Sequence, residues 1–207
     1  MSTAAGTVFL VDDDPGVVAA LARLLRSAAF EVRSFSSAEA FLRAHDPSVP
    51  GCALLDVAMS GLSGIEVQRK LKDSGCGRPV IFLTGQGDIP MSVEAMKTGA
   101  VDFLTKPVRE ENLLAAVRFA LGKDRTDRLA RAELANIEQR LAALTPRESE
   151  ILRFLVAGLL NKQIAAELGT AEKTIKVHRG RIMRKMGARS VADLIRSSIR
   201  AGIAPAR

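Results

Sequence analysis

Five short apolar runs, TVFLV, EVRSF, CALLD, VIFLT and VDFLT, recur through residues 1–121 and are separated by stretches of helical period. A chain that alternates in this way is predicted to build five βα units. Because crossovers between parallel strands are right-handed and the central runs are apolar throughout, the units should assemble into a parallel sheet with helices on both faces. Helix start signals agree. Asp14-Pro15 supplies an N-cap and a proline at the first helical position, Ser36 with Glu39 reads as a capping box, and Asp88 precedes Ile89-Pro90. The helices are predicted at about 15–28, 37–44, 64–73, 89–98 and 109–121.

In such folds ligands bind outside the carboxyl ends of the strands, and several polar residues fall there. Asp12 and Asp13 follow the first run, Asp56 ends the third, Thr84 ends the fourth, and Lys106-Pro107 follows the fifth. Each alone is bland, since acids in loops are usually solvated or capping. Together they gather at one edge of one sheet. Crowded carboxylates repel unless they share protons or a cation, and an all-oxygen site with open positions suits Mg²⁺. Such an ion lets a phosphoryl group approach a carboxylate. Asp56 is then the predicted nucleophile, giving an aspartyl phosphate, with Lys106 and Thr84 contacting phosphoryl oxygens. The third run ends on a carboxylate because that carboxylate faces the pocket.

A chain of 207 residues fits two domains. Charge divides it unevenly. Residues 1–122 hold 12 Lys and Arg against 14 Asp and Glu, whereas residues 145–207 hold 13 against 5, a net +8. Basicity confined to the last third points to a tethered nucleic-acid-binding domain. No apolar run approaches the roughly 18 residues of a membrane span. The N-terminus lacks a basic region and its apolar stretch is halted by three acids, so no signal peptide is expected and the chain is expected in the cytoplasm. Cys52 and Cys76 have no metal-ligand spacing and read as small hydrophobes.

Residues 122–144 are mixed in charge, free of proline and rich in helix formers, so they read as a helical linker. Ala130, Leu134, Ile137, Leu141 and Leu144 form a seam of two heptads, which suits a coiled coil or a stripe packed on its own domain. Thr145-Pro146-Arg147-Glu148 is a capping box that opens the last domain. Helices are predicted there at about 146–157, 161–168, 172–186 and 190–201. The short turn at Gly169-Thr170 suits a helix-turn-helix. In its second helix Ile175, Ile182 and Met186 should face the core, leaving Lys173, Lys176, Val177, Gly180, Arg181 and Arg184 outward. For double-stranded DNA, Lys176 is placed to reach guanine edges and Val177 a thymine methyl, with Arg179, Arg181 and Arg184 on phosphates. Thr174 and the helix start at Asn161-Lys162 add phosphate donors. His178 lies near the apolar stripe and reads as structural.

VDDD, LLDVAMSGLSG, FLTGQGD and MKTGAVDFLTKP together resemble the receiver domain of two-component response regulators, over residues 6–121. The resemblance implies a flavodoxin-like sheet of strand order 2-1-3-4-5. It makes Asp56 the phosphoacceptor; Asp13, Asp56 and the backbone carbonyl of Ala58 direct Mg²⁺ ligands; and Asp12 a ligand through water. Thr84, Gly85, Phe103 and Lys106 become the phosphoryl-binding and switch set, Lys106-Pro107 a cis bond, and a separate histidine kinase the donor. Met91, Val93, Met96, Lys97 and Val101 would form the face that phosphorylation remodels for homodimerisation. The last third, LTPRESEILRFLVAGLLNKQIAAELG with KTIKVHRGRIMRKMG, resembles the four-helix LuxR-type output domain. The whole is similar to the FixJ/NarL class, nearest its FixJ and StyR branch, and divides into a receiver at 1–121, a linker at 122–144 and an output domain at 145–207.

Departures from the family pattern stand at Ala58, where Arg, Asn or Met is common, and at Ser60, where Pro is common. With Gly85 they predict an open pocket and an acyl phosphate that does not last many hours. Ala171 replaces a frequent capping Ser, and Gly180 a larger residue on the recognition face. The expected function is a phosphorylation-switched regulator that binds paired promoter half-sites as a dimer. Two other readings compete: a phosphohydrolase, which typically has a second acid where Ala58 stands, and a DNA-binding regulator whose receiver serves only protein interaction.

Overall fold

The computed structural model describes residues 6–85 and 99–206, and the chain divides into two compact units, Met1–Arg128 and Leu129–Arg207. In the first, strands β1 (Thr7–Val11), β2 (Glu31–Phe35), β3 (Gly51–Asp56), β4 (Val80–Thr84) and β5 (Asp102–Thr105) alternate with helices α1 (Pro15–Ser27), α2 (Ala38–Ala44) and α3 (Gly64–Asp73). All pairings are parallel, in the order β2-β1-β3-β4-β5. The predicted order holds.

Strand periodicity divides the core. Val8, Leu10, Leu54, Ile81 and Leu83 face one side, packed on Ala22 and Leu25 of α1 and on Leu113 and Val117 of the helix that follows β5. Phe9, Val11, Leu55 and Phe82 face the other, packed on Phe41 of α2 and on Val67 and Leu71 of α3. The central strands β1, β3 and β4 are buried throughout, while edge strand β2 exposes Glu31 and Arg33. Asp14 caps α1 as expected, accepting from the amides of Gly16 and Val17. At α2 the cap is Ser37 and not Ser36, because the helix begins at Ala38 and Ser37 keeps an extended backbone. The helix predicted at 89–98, with its Asp88-Ile89-Pro90 start, lies outside the described residues.

The helix expected at 109–121 and the separate linker are one element, α4 (Glu110–Ala142). Gly122 does not stop it, since a single glycine costs a helix interior only about 1 kcal/mol and the next turn is anchored. The Asp124 carboxylate, 1% exposed, accepts from the Gly51 amide at 2.9 Å and from Arg128 Nε at 2.8 Å. Arg128 also donates to the carbonyls of Pro47, Ser48 and Val49. Gly51 itself has φ +155, and a Cβ there would run into the Thr7 carbonyl. Beside it the buried Arg78 donates to His45 Nε2 and to the carbonyls of Asp46 and Val49, with its guanidinium 4.2 Å from the Phe9 ring centroid. Burial pushes the Cys52 thiol up to about 12, as befits a structural cysteine.

The second unit holds α5 (Pro146–Val156), α6 (Asn161–Glu167), α7 (Glu172–Met186) and α8 (Val191–Arg200). Its core joins Ile151, Leu152 and Leu155 to Ile164, Ile175, Ile182, Met186 and Leu194. Ile137 of α4 is buried in the same core, and Leu141 and Leu144 pack on it. That half of the heptad seam is therefore a stripe on its own domain. The capping box at Thr145 and Glu148 is formed. Glu148 is 3% exposed, and the Lys185 ammonium at 2.6 Å holds its carboxyl down to about 2. Among the described residues no helix is long and apolar enough to cross a membrane.

Candidate functional site

The carboxyl ends of β1 and β3 bring Asp12, Asp13 and Asp56 together, each offering an oxygen within 4.8 Å of the others. Asp12 is fully buried, and Asp56 is 5% exposed. Lys106, entering from beyond β5, lies between them: Nζ is 2.6 Å from Asp12 Oδ2 and 3.1 Å from Asp56 Oδ1. Asp12 Oδ1 accepts from the Asp14 amide, so the acid pocket and the cap of α1 share a backbone turn. Asp13 is exposed, and its Oδ2 accepts from both the amide and the hydroxyl of Ser60, at 2.8 and 2.9 Å.

Burial raises the pKa of Asp56, and the Asp12 and Asp13 charges add to this against the pull of Lys106. Burial opposes the charge on Lys106, but its hydrogen bonds to Asp12 and Asp56 outweigh that and raise its pKa. Asp13 is held below the usual carboxylate range, first by the Ser60 amide and then by its hydroxyl. The result is an oxygen-only cluster with an excess of negative charge, a donor set that fits a hard divalent cation.

The other predicted residues of this region fall around the cluster. Thr84 is buried at the end of β4, and its carbonyl accepts from the Lys106 amide at 2.6 Å. The Lys106–Pro107 bond is cis. Ala58, Ser60 and Gly85 are exposed, and a Cβ on Gly85 would meet no atom within 4 Å. Phe103 is half-buried on β5, its ring centroid 6.3 Å from that of Phe82. Val101 is half-buried against the sheet core. Met91, Val93, Met96 and Lys97 lie outside the described residues.

In the second unit α6 and α7 are joined through Gly169, which has φ +59. On α7, Ile175, Ile182 and Met186 are buried, while Lys173, Thr174, Lys176, Val177, Gly180, Arg181 and Arg184 are exposed together. Val177 is 49% exposed, high for an apolar side chain on a charged helix. Lys162 is exposed at the start of α6. Asn161 and Arg179 are half-buried and bonded to each other, Arg179 Nη1 donating to Asn161 Oδ1 at 3.2 Å. Ala171 precedes α7 without a side-chain cap. His178 is half-buried, with Nδ1 unpartnered among the described residues. Sequence reasoning marked Ser60 only as a small residue and missed its bonds to Asp13. The one available signal was a hydroxyl four residues after Asp56, where the family pattern places an imino acid.

Residues 8–118 match the family described as "Response regulator receiver domain", and residues 142–198 that described as "Bacterial regulatory proteins, luxR family". The chain is similar to Nodulation protein W of Bradyrhizobium diazoefficiens, 48% identical over 95% of this chain and 86% of that protein. It is also similar to Transcriptional regulatory protein FixJ of Azorhizobium caulinodans, 43% identical over 96% of this chain and 94% of that one. Among solved structures, response regulator StyR superposes with a TM-score of 0.84 at 48% identity, covering 93% of this chain and 98% of that one. Full-length FixJ from B. japonicum gives 0.59 at 41% identity, covering 97% and 98%.

Proposed function

The chain belongs to the response regulators that join a receiver to a LuxR-type DNA-binding domain, and from that premise we propose that phosphorylation of Asp56 switches its dimerisation and promoter binding. The observation that carries this reading is the Asp12, Asp13 and Asp56 cluster with Lys106 seated between two of its members. A degenerate receiver has no reason to retain three mutually repelling carboxylates.

In the proposed reaction a carboxylate oxygen of Asp56 attacks the phosphorus of a phosphohistidine on a histidine kinase. The P–O bond of an acyl phosphate forms as the P–N bond breaks, and the imidazole nitrogen leaves with the electron pair. Asp13, Asp56 and the Ala58 carbonyl would hold Mg²⁺ directly and Asp12 through water; when bound, the ion supplies charge neutralisation to the transferring group. Lys106 gains a phosphoryl oxygen as partner, and Thr84 the hydroxyl contact that phosphorylation adds. The gain in contacts shifts the equilibrium of the receiver, over residues 1–121, toward a state that dimerises. The linker, residues 122–144, presents two output domains, each of residues 145–207, to paired half-sites. There the exposed face of α7 enters the major groove, with Lys176 and Val177 toward bases and Arg181 and Arg184 toward phosphates. Such a regulator works in the cytoplasm.

The test is the mass distribution of the protein in Mg²⁺ with and without acetyl phosphate, wild type against Asp56→Ala. Wild type is expected to pass from monomer to dimer and the variant to stay monomeric. An unchanged mass despite an adduct on Asp56 would remove dimerisation from the mechanism. Absence of any adduct would replace it by phosphorylation-independent binding.

A further inference from the structure

We propose that Ser60 is a positioning residue that presents Asp13 to the divalent cation, an inference that rests on reading Asp12, Asp13 and Asp56 as the cation's pocket. The three acids are not held alike. Asp12 is fully buried, with one oxygen on the Asp14 amide and the other on Lys106. Asp56 is buried at the end of a central strand and paired with Lys106. Asp13 alone is exposed, and no cation of the protein lies within ion-pair distance of it among the described residues. What reaches it across the pocket is Ser60, 47 positions away, through two donors on one oxygen.

That arrangement has a coordination consequence. A carboxylate oxygen offers two lone-pair sites, and on Asp13 Oδ2 the Ser60 amide and hydroxyl take both. The cation is left with Oδ1, so Asp13 ligates through a single oxygen from a side chain whose rotamer is already set. Ser60 has no competing duty at the helix that follows. Ser63 caps α3, in a reciprocal box with Glu66. Proline at position 60 would supply neither donor, so this chain fixes its exposed ligand by a device unavailable to relatives carrying that residue.

Immobilising one side chain in advance of binding is worth about three- to tenfold in affinity. The test is calorimetric titration of Mg²⁺ into the full chain without phosphodonor, for wild type, Ser60→Ala, Ser60→Pro, Ser60→Thr and Asp13→Ala, each checked by its far-ultraviolet circular dichroism melt. Ser60→Ala, which keeps the amide, is expected to bind about threefold more weakly, and Ser60→Pro, which loses both donors, about tenfold. Ser60→Thr, which keeps both donors, should restore wild-type affinity. A merely structural role would lower the melting temperature and leave Mg²⁺ affinity alone, which would overturn the proposal. Affinity that rises in Ser60→Ala would overturn it too, by showing that Ser60 competes with the ion. If Asp13→Ala loses Mg²⁺ while the Ser60 variants match wild type, only the role of Ser60 falls. If Asp13→Ala binds like wild type, the assignment of the pocket falls with it.

Discussion

Gly64 opens α3 directly behind Asp56, the proposed phosphoacceptor, and replacing it with alanine is a sharp probe of how β3 is held. A Cβ at this position would be driven into the backbone carbonyl oxygen of Asp56 and would stand 3.2 Å from Phe82 Cε1. The oxygen cannot swing aside, because β3 is hydrogen-bonded to β1 on one side and β4 on the other, and Gly64 is itself tied by its amide to the Val57 carbonyl at 3.2 Å. Restoring ordinary contact requires a displacement of about 1 Å, shared between the strand end and the helix start. Overpacking of this kind costs about 1–3 kcal/mol, and a misplacement of about 1 Å at a reacting group costs about 100-fold in rate. Gly64→Ala is therefore expected to melt several degrees below wild type and to accept phosphate from acetyl phosphate about two orders of magnitude more slowly, followed by intact mass. Gly75→Ala is the control. It sits past α3 at φ +73 with nothing within 4 Å of its Cβ, so it should lose about 1 kcal/mol to left-handed strain and phosphorylate at the wild-type rate. A Gly64→Ala protein with wild-type melting and phosphorylation would refute the claim that packing at this contact sets the position of Asp56.

Two further expectations concern pH. Glu148, unfolded near 4.5 and held to about 2 by Lys185 in the fold, contributes stability that is complete above pH 4.5 and lost as pH falls toward 2; Glu148→Gln should flatten the acid limb of the melting curve in that window. Asp56 has the opposite sign, since burial raises its pKa above the unfolded 3.8, so its ionisation costs stability as pH rises through the folded value. Asp56→Asn without divalent cation should melt above wild type at pH 8, with the gap closing toward pH 4, and a lower melt at pH 8 would contradict this.

The architecture was readable because the physics that sets it is local. The runs ending at Val11, Asp56 and Thr84 are apolar on both faces, as central parallel strands must be, and the caps at Asp14, Thr145 and Glu148 announce their helices within three residues. The acid pocket was readable for a related reason: strand ends in one parallel sheet share an edge, so a list of strand-terminal residues becomes a list of neighbours. What escaped is contact between distant segments with no periodic signature. Ser60 meets Asp13 across 47 positions, Asp124 meets Gly51 across 73, and Lys185 meets Glu148 across 37. The bond from Arg179 to Asn161, 18 positions apart, belongs to the same class. The sequence marks helix on both sides of Gly122 but not their continuity, and the glycine's tolerance depends on anchors at Asp124 and Arg128 that only the fold reveals.

Helix α4 has a consequence for cooperativity. Between the anchor at Arg128 and the buried Ile137, residues 129–136 are exposed except for the half-buried Leu134. Eight residues are too few to nucleate a helix in water, so this span is helical by propagation from its two ends, with little packing of its own. Its order is conditional. When either end lets go, the span loses one of its two seeds, and its amides become the first of α4 to exchange with solvent.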